Sequence, residues 1–315
     1  MSEFGPPEVL KPAELPDPAA GPGEALIEVE IANITFVETQ LRAGRAPHPS
    51  MEPRLPVIPG NGVGGTVGAV GEGVERGLVG TRVITSTGGS GGYAERVAVD
   101  AAGVIRVPDG VGLPEAVALL ADGRTAMSLM RAAEVRPDET VLVEAAAGGV
   151  GSLLVQLAAG AGARVVAAAG GERKLRVARE LGADETVDYT EPSWTEKVGD
   201  GVDVVFDGVG GAVGRAAFEL VRSGGRFCAF GLASGAFTDI PDADAARRNV
   251  TVVRGTRVDP EELRQLSRAA LAEAETGRLR PVIGQTFPLE RAADAHQAIE
   301  ARATVGKTLL LARPR

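Results

Sequence analysis

The chain has 315 residues, enough for two domains that each bury a core of their own. It is 44% hydrophobic and 24% charged, and its net charge of −9 argues against a general nucleic-acid or acidic-membrane surface. A single cysteine, Cys228, excludes an intramolecular disulfide and any cysteine-cluster metal site. No apolar run is long enough for a membrane-spanning helix and the first residues lack a signal-peptide pattern, so the expectation is a cytoplasmic protein. Residues 1–24, rich in proline and acid, read as irregular surface chain. From Ala25 to Ile34 the pattern alternates, with Ile27, Val29 and Ile31 on one face and Glu28 and Glu30 on the other, as in a half-buried antiparallel strand. A short helix, Phe36 to Ala43, ends at Gly44. Glycine-dense short strands follow (VGGTVGAVG, TRVITS, 95–99 and Val104–Pro108), the pattern of a compact, curled β domain.

Two helical segments, 114–121 and 124–134, lead to the stretch around which the chain is organised, residues 140–169. Val141, Leu142 and Val143 form the apolar run of a strand buried on both faces. Ala146-Ala147-Gly148-Gly149-Val150-Gly151 is a variant of the dinucleotide fingerprint, with alanine at the first glycine position. Glycines there let the chain turn tightly and let a pyrophosphate approach the amides at a helix N-terminus. Val150, Leu153, Leu154, Leu157 and Ala161 then mark the helix stripe that lies on a sheet. Helices at 172–181 and 211–222 alternate with strands at 163–169, 186–189, 202–207, 226–230 and 250–254, which implies a doubly wound parallel sheet, and a helix at 261–276 follows it. PVIGQTFPL, a helix at 290–302 and a strand at Lys307–Leu311 are expected to return to the N-terminal domain. The fold class is therefore α/β: a β-rich catalytic domain (1–112 and 257–315) and a Rossmann nucleotide-binding domain (113–256).

Cofactor choice is read at the end of the second strand, where an NAD-binding unit places an acid for the ribose 2′-hydroxyl. Here Ala168, Ala169, Gly170 and Gly171 occupy that end, and Arg173 and Lys174 follow as donors for a 2′-phosphate. The competing reading makes Arg173 and Lys174 the solvated face of a helix, and Glu172 could still reach a ribose. The expected cofactor is NADPH. A zinc site needs three or four closely placed ligands; with His48 in a proline-rich loop and His296 in an amphipathic helix, both expected at the surface, the expectation is no metal. Phe230-Gly231 and Gly255-Thr256 follow sheet strands at their carboxyl ends, where open α/β sheets bind ligands. Asp207 ends a strand likewise, with a helix-capping role as the alternative, and Cys228 reads as an inert core residue.

The motifs PGNGVGGTVGAVGEGV, GGYAERVAV and AAGGVGSLLVQLA and the terminal Gly306-Lys307 strand resemble the zinc-independent quinone oxidoreductases, the ζ-crystallin branch of the medium-chain dehydrogenase/reductase superfamily. The similarity spans nearly the whole chain. It implies a GroES-like catalytic domain beside the Rossmann domain, and hydride transfer from NADPH to quinones, alkenals or enones. It also implies a homodimer joined through the edges of the nucleotide domains. By the same resemblance Gly170, Lys174 and Tyr189 match adenosine-phosphate contacts, Thr125 lies beside the nicotinamide, and Lys307 joins the cofactor contacts with Gly148, Gly149 and Val150. Thr35, Gln40 and Tyr93 are the candidate catalytic side chains, Tyr93 being mostly a structural signature in the family.

This chain departs from the family in several places. Thr35 replaces an asparagine, Asn61 stands where zinc enzymes carry histidine, Gly62 replaces an acid, and Ala46 replaces a pocket tyrosine. Asp122 and Arg124 stand where uncharged residues are usual and could pair at the surface. Relatives begin with a short strand inside which this chain starts, which implies a misassigned start or a lost edge strand. TFVETQ, with Phe36 and Glu38, resembles polyketide enoyl-reductase domains, so a dedicated biosynthetic enoyl reductase is the alternative; a non-catalytic NADPH-binding protein is the second.

Overall fold

The alternating Ile27, Val29 and Ile31 are fully or almost fully buried, and they hold β1 (Glu24–Ile34) within a mostly antiparallel sheet. The computed structural model describes residues 1–199, 201–254 and 259–312. The chain divides into two compact units: residues 1–121, 267–275 and 281–315, and residues 122–266 with 276–280.

In the first unit β1 pairs with β2 (Gly62–Val70), which pairs with β3 (Arg82–Ser86), and β4 (Arg96–Asp100) pairs antiparallel with β1 over Glu24–Glu28, on the edge opposite β2. β5 (Ile105–Arg106) caps β3. The far end of the chain returns, as β13 (Lys307–Leu311) runs antiparallel to β1 and carries β12 (Ile283–Pro288) on its other side. Close approach demands the glycines of β2: a Cβ on Gly65 would stand 2.0 Å from the Glu28 carbonyl oxygen. Helices α1 (Phe36–Arg42) and α9 (Ala292–Glu300) belong to this unit. The chain start is not a strand. Met1 instead exchanges two hydrogen bonds with Val57, and the first 23 residues hold no more than a short 3₁₀ turn.

In the second unit, β6 (Thr140–Glu144), β7 (Arg164–Ala169), β8 (Glu185–Asp188), β9 (Val202–Asp207), β10 (Val221–Ala229) and β11 (Thr251–Val253) form a parallel sheet. Their order is β11-β10-β9-β6-β7-β8. Helices α3 (Gly149–Gly160), α4 (Glu172–Glu180), α5 (Trp194–Val198), α6 (Gly211–Glu219) and α7 (Asp242–Arg248) connect the strands. Leaving β6 the chain builds outward through β7 and β8, then crosses back to β9. The order therefore reverses between β6 and β9, the switch point at whose carboxyl side such sheets bind ligands.

The two helical segments expected before β6 are one helix, α2 (Leu113–Ala133). Gly123 costs about 1 kcal/mol relative to alanine in a helix. Leu119 and Leu120 before it and Ala126 and Leu129 after it are all buried, and that burial keeps the helix continuous. Strand β10 starts at Val221, inside the expected helix 211–222, where Val221 pairs with Val202 of β9 before the register shifts ahead of Arg226. α8 (Pro260–Glu275) has residues in both units. No described helix is long and apolar enough to cross a membrane.

Candidate active site

The fingerprint lies where β6 ends. Ala145 takes the left-handed turn at φ 49°, so the sharp bend falls on an alanine one residue ahead of the motif. Gly148 caps α3 with φ −82° and ψ 177°, and its carbonyl accepts from Ser152. A Cβ on Gly148 would meet the Ala145 carbonyl oxygen at 3.1 Å, whereas one on Gly151 would stand 2.3 Å from that oxygen. Gly151 is thus required by helix–strand packing, and Gly148 leaves the backbone bare at the helix N-terminus, the two roles these positions have in a dinucleotide loop. Gly149 and Val150 are the first helical residues, with amides directed out of the helix end. The glycine cradle fits a pyrophosphate.

Around this loop the neighbouring strand ends converge. The Phe230 and Gly231 amides both donate to the Asp207 carbonyl, at 2.9 and 3.1 Å. A Cβ on Gly231 would lie 2.3 Å from the Gly208 oxygen, and one on Gly208 would meet both the Phe230 ring and the Ala145 methyl. Ala145, Gly208, Phe230 and Gly231 therefore form one surface. At the end of β7, Gly170 lies against Tyr189 and Thr190. Glu172 is turned away into a bidentate pair with Arg179, at 2.9 and 3.0 Å. Arg173 and Lys174 occupy the first turn of α4. Asp188, overlooked in the sequence, accepts from the Gly171 amide at 2.9 Å and from Thr190, contacts that hold its carboxyl low against the opposing effect of burial. Thr125 lies within α2, in the second unit. Gly255 and Thr256 lie outside the described residues.

Two carboxylates sit under the loop. Glu144 and Asp207 end the paired strands β6 and β9 and are both completely buried. Asp207 accepts from the amides of Val209 and Gly210, at 3.0 and 2.7 Å, and from the Thr238 hydroxyl at 2.5 Å. It caps the turn into α6, the alternative reading of this residue. Neither Glu144 oxygen has a geometric hydrogen-bond partner among the described residues. Burial, and then Asp207 beside it, push the Glu144 carboxyl well above the usual range, so it is held as the neutral acid.

The candidate catalytic side chains all lie in the first unit. Thr35 caps α1, its amide and hydroxyl both donating to the Glu38 carboxylate. Glu38 also accepts from the Asn61 amide at 2.9 Å. Burial raises its carboxyl, against those hydrogen bonds and the charge of Lys307. Lys307, in the first unit, acts on Glu38 through its charge. Gln40 is buried, donating to Thr39 and accepting from Arg45. The Tyr93 hydroxyl lies 2.9 Å from His296 Nε2, and the rings meet edge to face. His296 is not at the surface as expected: α9 turns it into the core, where it is 0% exposed. Burial pushes its pKa down to about 3, so it stays neutral, and the Tyr93 phenol is pushed well up, first by burial and then by Glu38. Asp122 is likewise buried, although a surface pair with Arg124 was expected. His48 is exposed, as the sequence implied. Cys228 is fully buried and its thiol raised to about 12, which leaves it inert. Among the described residues, no three His, Cys, Asp or Glu side chains converge as a metal site would require.

A β domain of this topology and a dinucleotide-type sheet in one chain define a medium-chain dehydrogenase/reductase. The family model for the alcohol dehydrogenase GroES-like domain matches residues 21–109, and the one for zinc-binding dehydrogenases matches 181–310. A quinone oxidoreductase of Pseudomonas aeruginosa is 33% identical over 99% of this chain and 98% of its own. The quinone oxidoreductase of Escherichia coli complexed with NADPH superposes with a TM-score of 0.90 at 29% identity, covering 98% of each chain. A structure described as an NAD-dependent alcohol dehydrogenase superposes with a TM-score of 0.88 at 32% identity, covering 99% of this chain and 98% of that one. The chain belongs to the quinone oxidoreductase branch of the medium-chain dehydrogenase/reductase superfamily.

Proposed function

We propose that this protein is an NADPH-dependent reductase of quinones and of electron-poor alkenes such as enones and alkenals. The observation that carries the reading is the glycine loop at the switch point, with a strand end at Gly170–Gly171 that bears no acid of its own and two basic residues in the helix turn that follows. The bound dinucleotide supplies a hydride. The chain's own residues bind and orient: the Gly149 and Val150 amides face the pyrophosphate, Gly170 and Tyr189 receive the adenosine end, and Arg173 and Lys174 hold the 2′-phosphate. Holding donor and acceptor in line can supply roughly 7–11 kcal/mol of the barrier. The hydroquinone anion is weakly basic and takes its proton from water, so no dedicated acid is needed. The enoyl-reductase alternative rests on the TFVETQ stretch, with Phe36 and Glu38; of these the Glu38 carboxylate is engaged at the cap of α1 and with Asn61.

Dissociation constants and acceptor turnover test the reading. NADPH should bind roughly tenfold to a hundredfold more tightly than NADH, since each charged contact contributes about 0.5–1.5 kcal/mol and 1.4 kcal/mol is tenfold. The preference should shrink for Lys174→Ala and at high salt. Equal constants for both dinucleotides contradict it. Small quinones should be reduced faster than extended enone thioesters, and the opposite ranking favours the biosynthetic enoyl reductase.

Hydroxyl variants follow from the geometry. Thr35→Ala, Thr125→Ala and Tyr93→Phe should each lower turnover by tens-fold at most, short of the ~10²–10⁴ that marks loss of a general acid. Tyr93→Phe should act mainly on stability, by about 1–3 kcal/mol, because it strands buried His296 without its partner. Steady-state kinetics and urea unfolding of the three variants separate these effects. A thousandfold loss on both acceptors with NADPH binding intact would make that residue the proton donor.

A further inference from the structure

The Asp122 carboxylate stands against the first residue of the helix on which the dinucleotide loop is built. A Cβ added to Gly149 would meet Asp122 Oδ2 at 2.0 Å, its Cγ at 3.0 Å and Oδ1 at 3.7 Å. Cα–Cβ bonds on a helix tilt toward its N-terminus, so the carboxylate lies on the side of Gly149 that faces the helix end. It is 8% exposed and comes from α2, packed within the same unit. Anions are favoured at that end, and Asp122 brings one from the chain itself. The Arg124 guanidinium, two residues on, is lowered by burial and supported by the Asp122 charge.

We infer that Asp122 is an internal competitor for the pyrophosphate: its carboxylate opposes the dinucleotide at the Gly149 end of the loop and sets a weaker, faster-exchanging hold on the cofactor. The inference rests on the cofactor reading above. Two negative charges, one on the chain and one on the ligand, share one helix terminus in a buried setting, where screening is weak. A restraint of this kind raises the dissociation rate, the step through which spent nucleotide leaves. The adenosine end at Gly170 and Lys174 is bound by other residues and is unaffected.

Calorimetric titration of NADPH into the wild type, Asp122→Asn and Asp122→Ala at low and high salt tests this. Adenosine 2′-monophosphate is the control, and the melting temperature of each unliganded protein checks the fold. Asp122→Asn should bind NADPH about tenfold more tightly at low salt, the gain shrinking at high salt, while adenosine 2′-monophosphate binds all three alike. Asp122→Ala should show the same sign. Equal or weaker NADPH binding by both folded variants overturns the inference and leaves the cofactor reading standing. Failure of every protein to bind NADPH removes both.

Discussion

Valine at Gly148 should leave the protein folded and reduce NADPH binding by a thousandfold or more, whereas valine at Gly151 should disrupt the second unit itself. Gly148 has backbone angles that any residue adopts, and its Cβ would meet only one oxygen, at 3.1 Å. A side chain there covers the helix end whose amides the pyrophosphate must reach. At Gly151 the Cβ would lie 2.3 Å from the Ala145 oxygen, 2.8 Å from its carbonyl carbon and 3.0 Å from the Ala146 Cα, all backbone atoms that cannot yield. A thousandfold loss corresponds to about 4.1 kcal/mol. Circular dichroism and calorimetry on both variants check the contrast. A Gly148 variant that is folded and binds NADPH normally would mean that the nucleotide does not approach this turn.

The buried Glu144 should make stability fall as pH rises, and Glu144→Gln should remove that fall. Its folded carboxyl is raised by burial and by Asp207, above its value in the unfolded chain. The unfolded carboxyl ionises first, so stability is fully present below the unfolded value, about 4.5, and is lost as pH climbs toward the folded one. Glutamine has nearly the same shape and carries no charge at any pH. Near pH 5 the variant should match the wild type within about 1 kcal/mol, and near pH 8 it should exceed it by roughly 1–3 kcal/mol, since each pH unit above the unfolded value removes up to about 1.4 kcal/mol from the wild type alone. Neutral His296, lowered to about 3, acts in the opposite sense, losing stability as pH falls below 6.5, so comparison of the two proteins isolates Glu144. Urea unfolding at several pH values supplies the test; a variant less stable than the wild type near pH 8 contradicts it.

The glycine loop and its strand were legible because a buried parallel strand, a turn and an amphipathic helix each leave a local signal within thirty residues. β1 was legible through its alternation, but its ladder with β13, from Ile31 to Ile34, joins residues too far apart in the chain for any local pattern to report. The continuity of α2 was not, because Asp122-Gly123 has weak helix propensity and only burial on both sides overrides it. His296 was misread for the same reason: its partner Tyr93 is 203 residues away, and no local pattern reports a contact of that range. Glu144 ends an apolar strand and reads as an ordinary polar terminus until β9 brings Asp207 beside it. Asp122 was noticed as a departure from the family, but its place beside Gly149 follows from the packing of α2.

The central claim is that the chain binds NADPH and passes its hydride to an acceptor carbon or oxygen. NADPH carrying deuterium at the transferable C4 position tests it most directly, with an enone and a quinone as acceptors under single turnover. The account predicts oxidation of NADPH by both acceptors, a primary isotope effect on the slow step, and deuterium recovered on carbon in the reduced enone. Tight NADPH binding with no oxidation by either acceptor would contradict it and leave a nucleotide-binding protein without this chemistry.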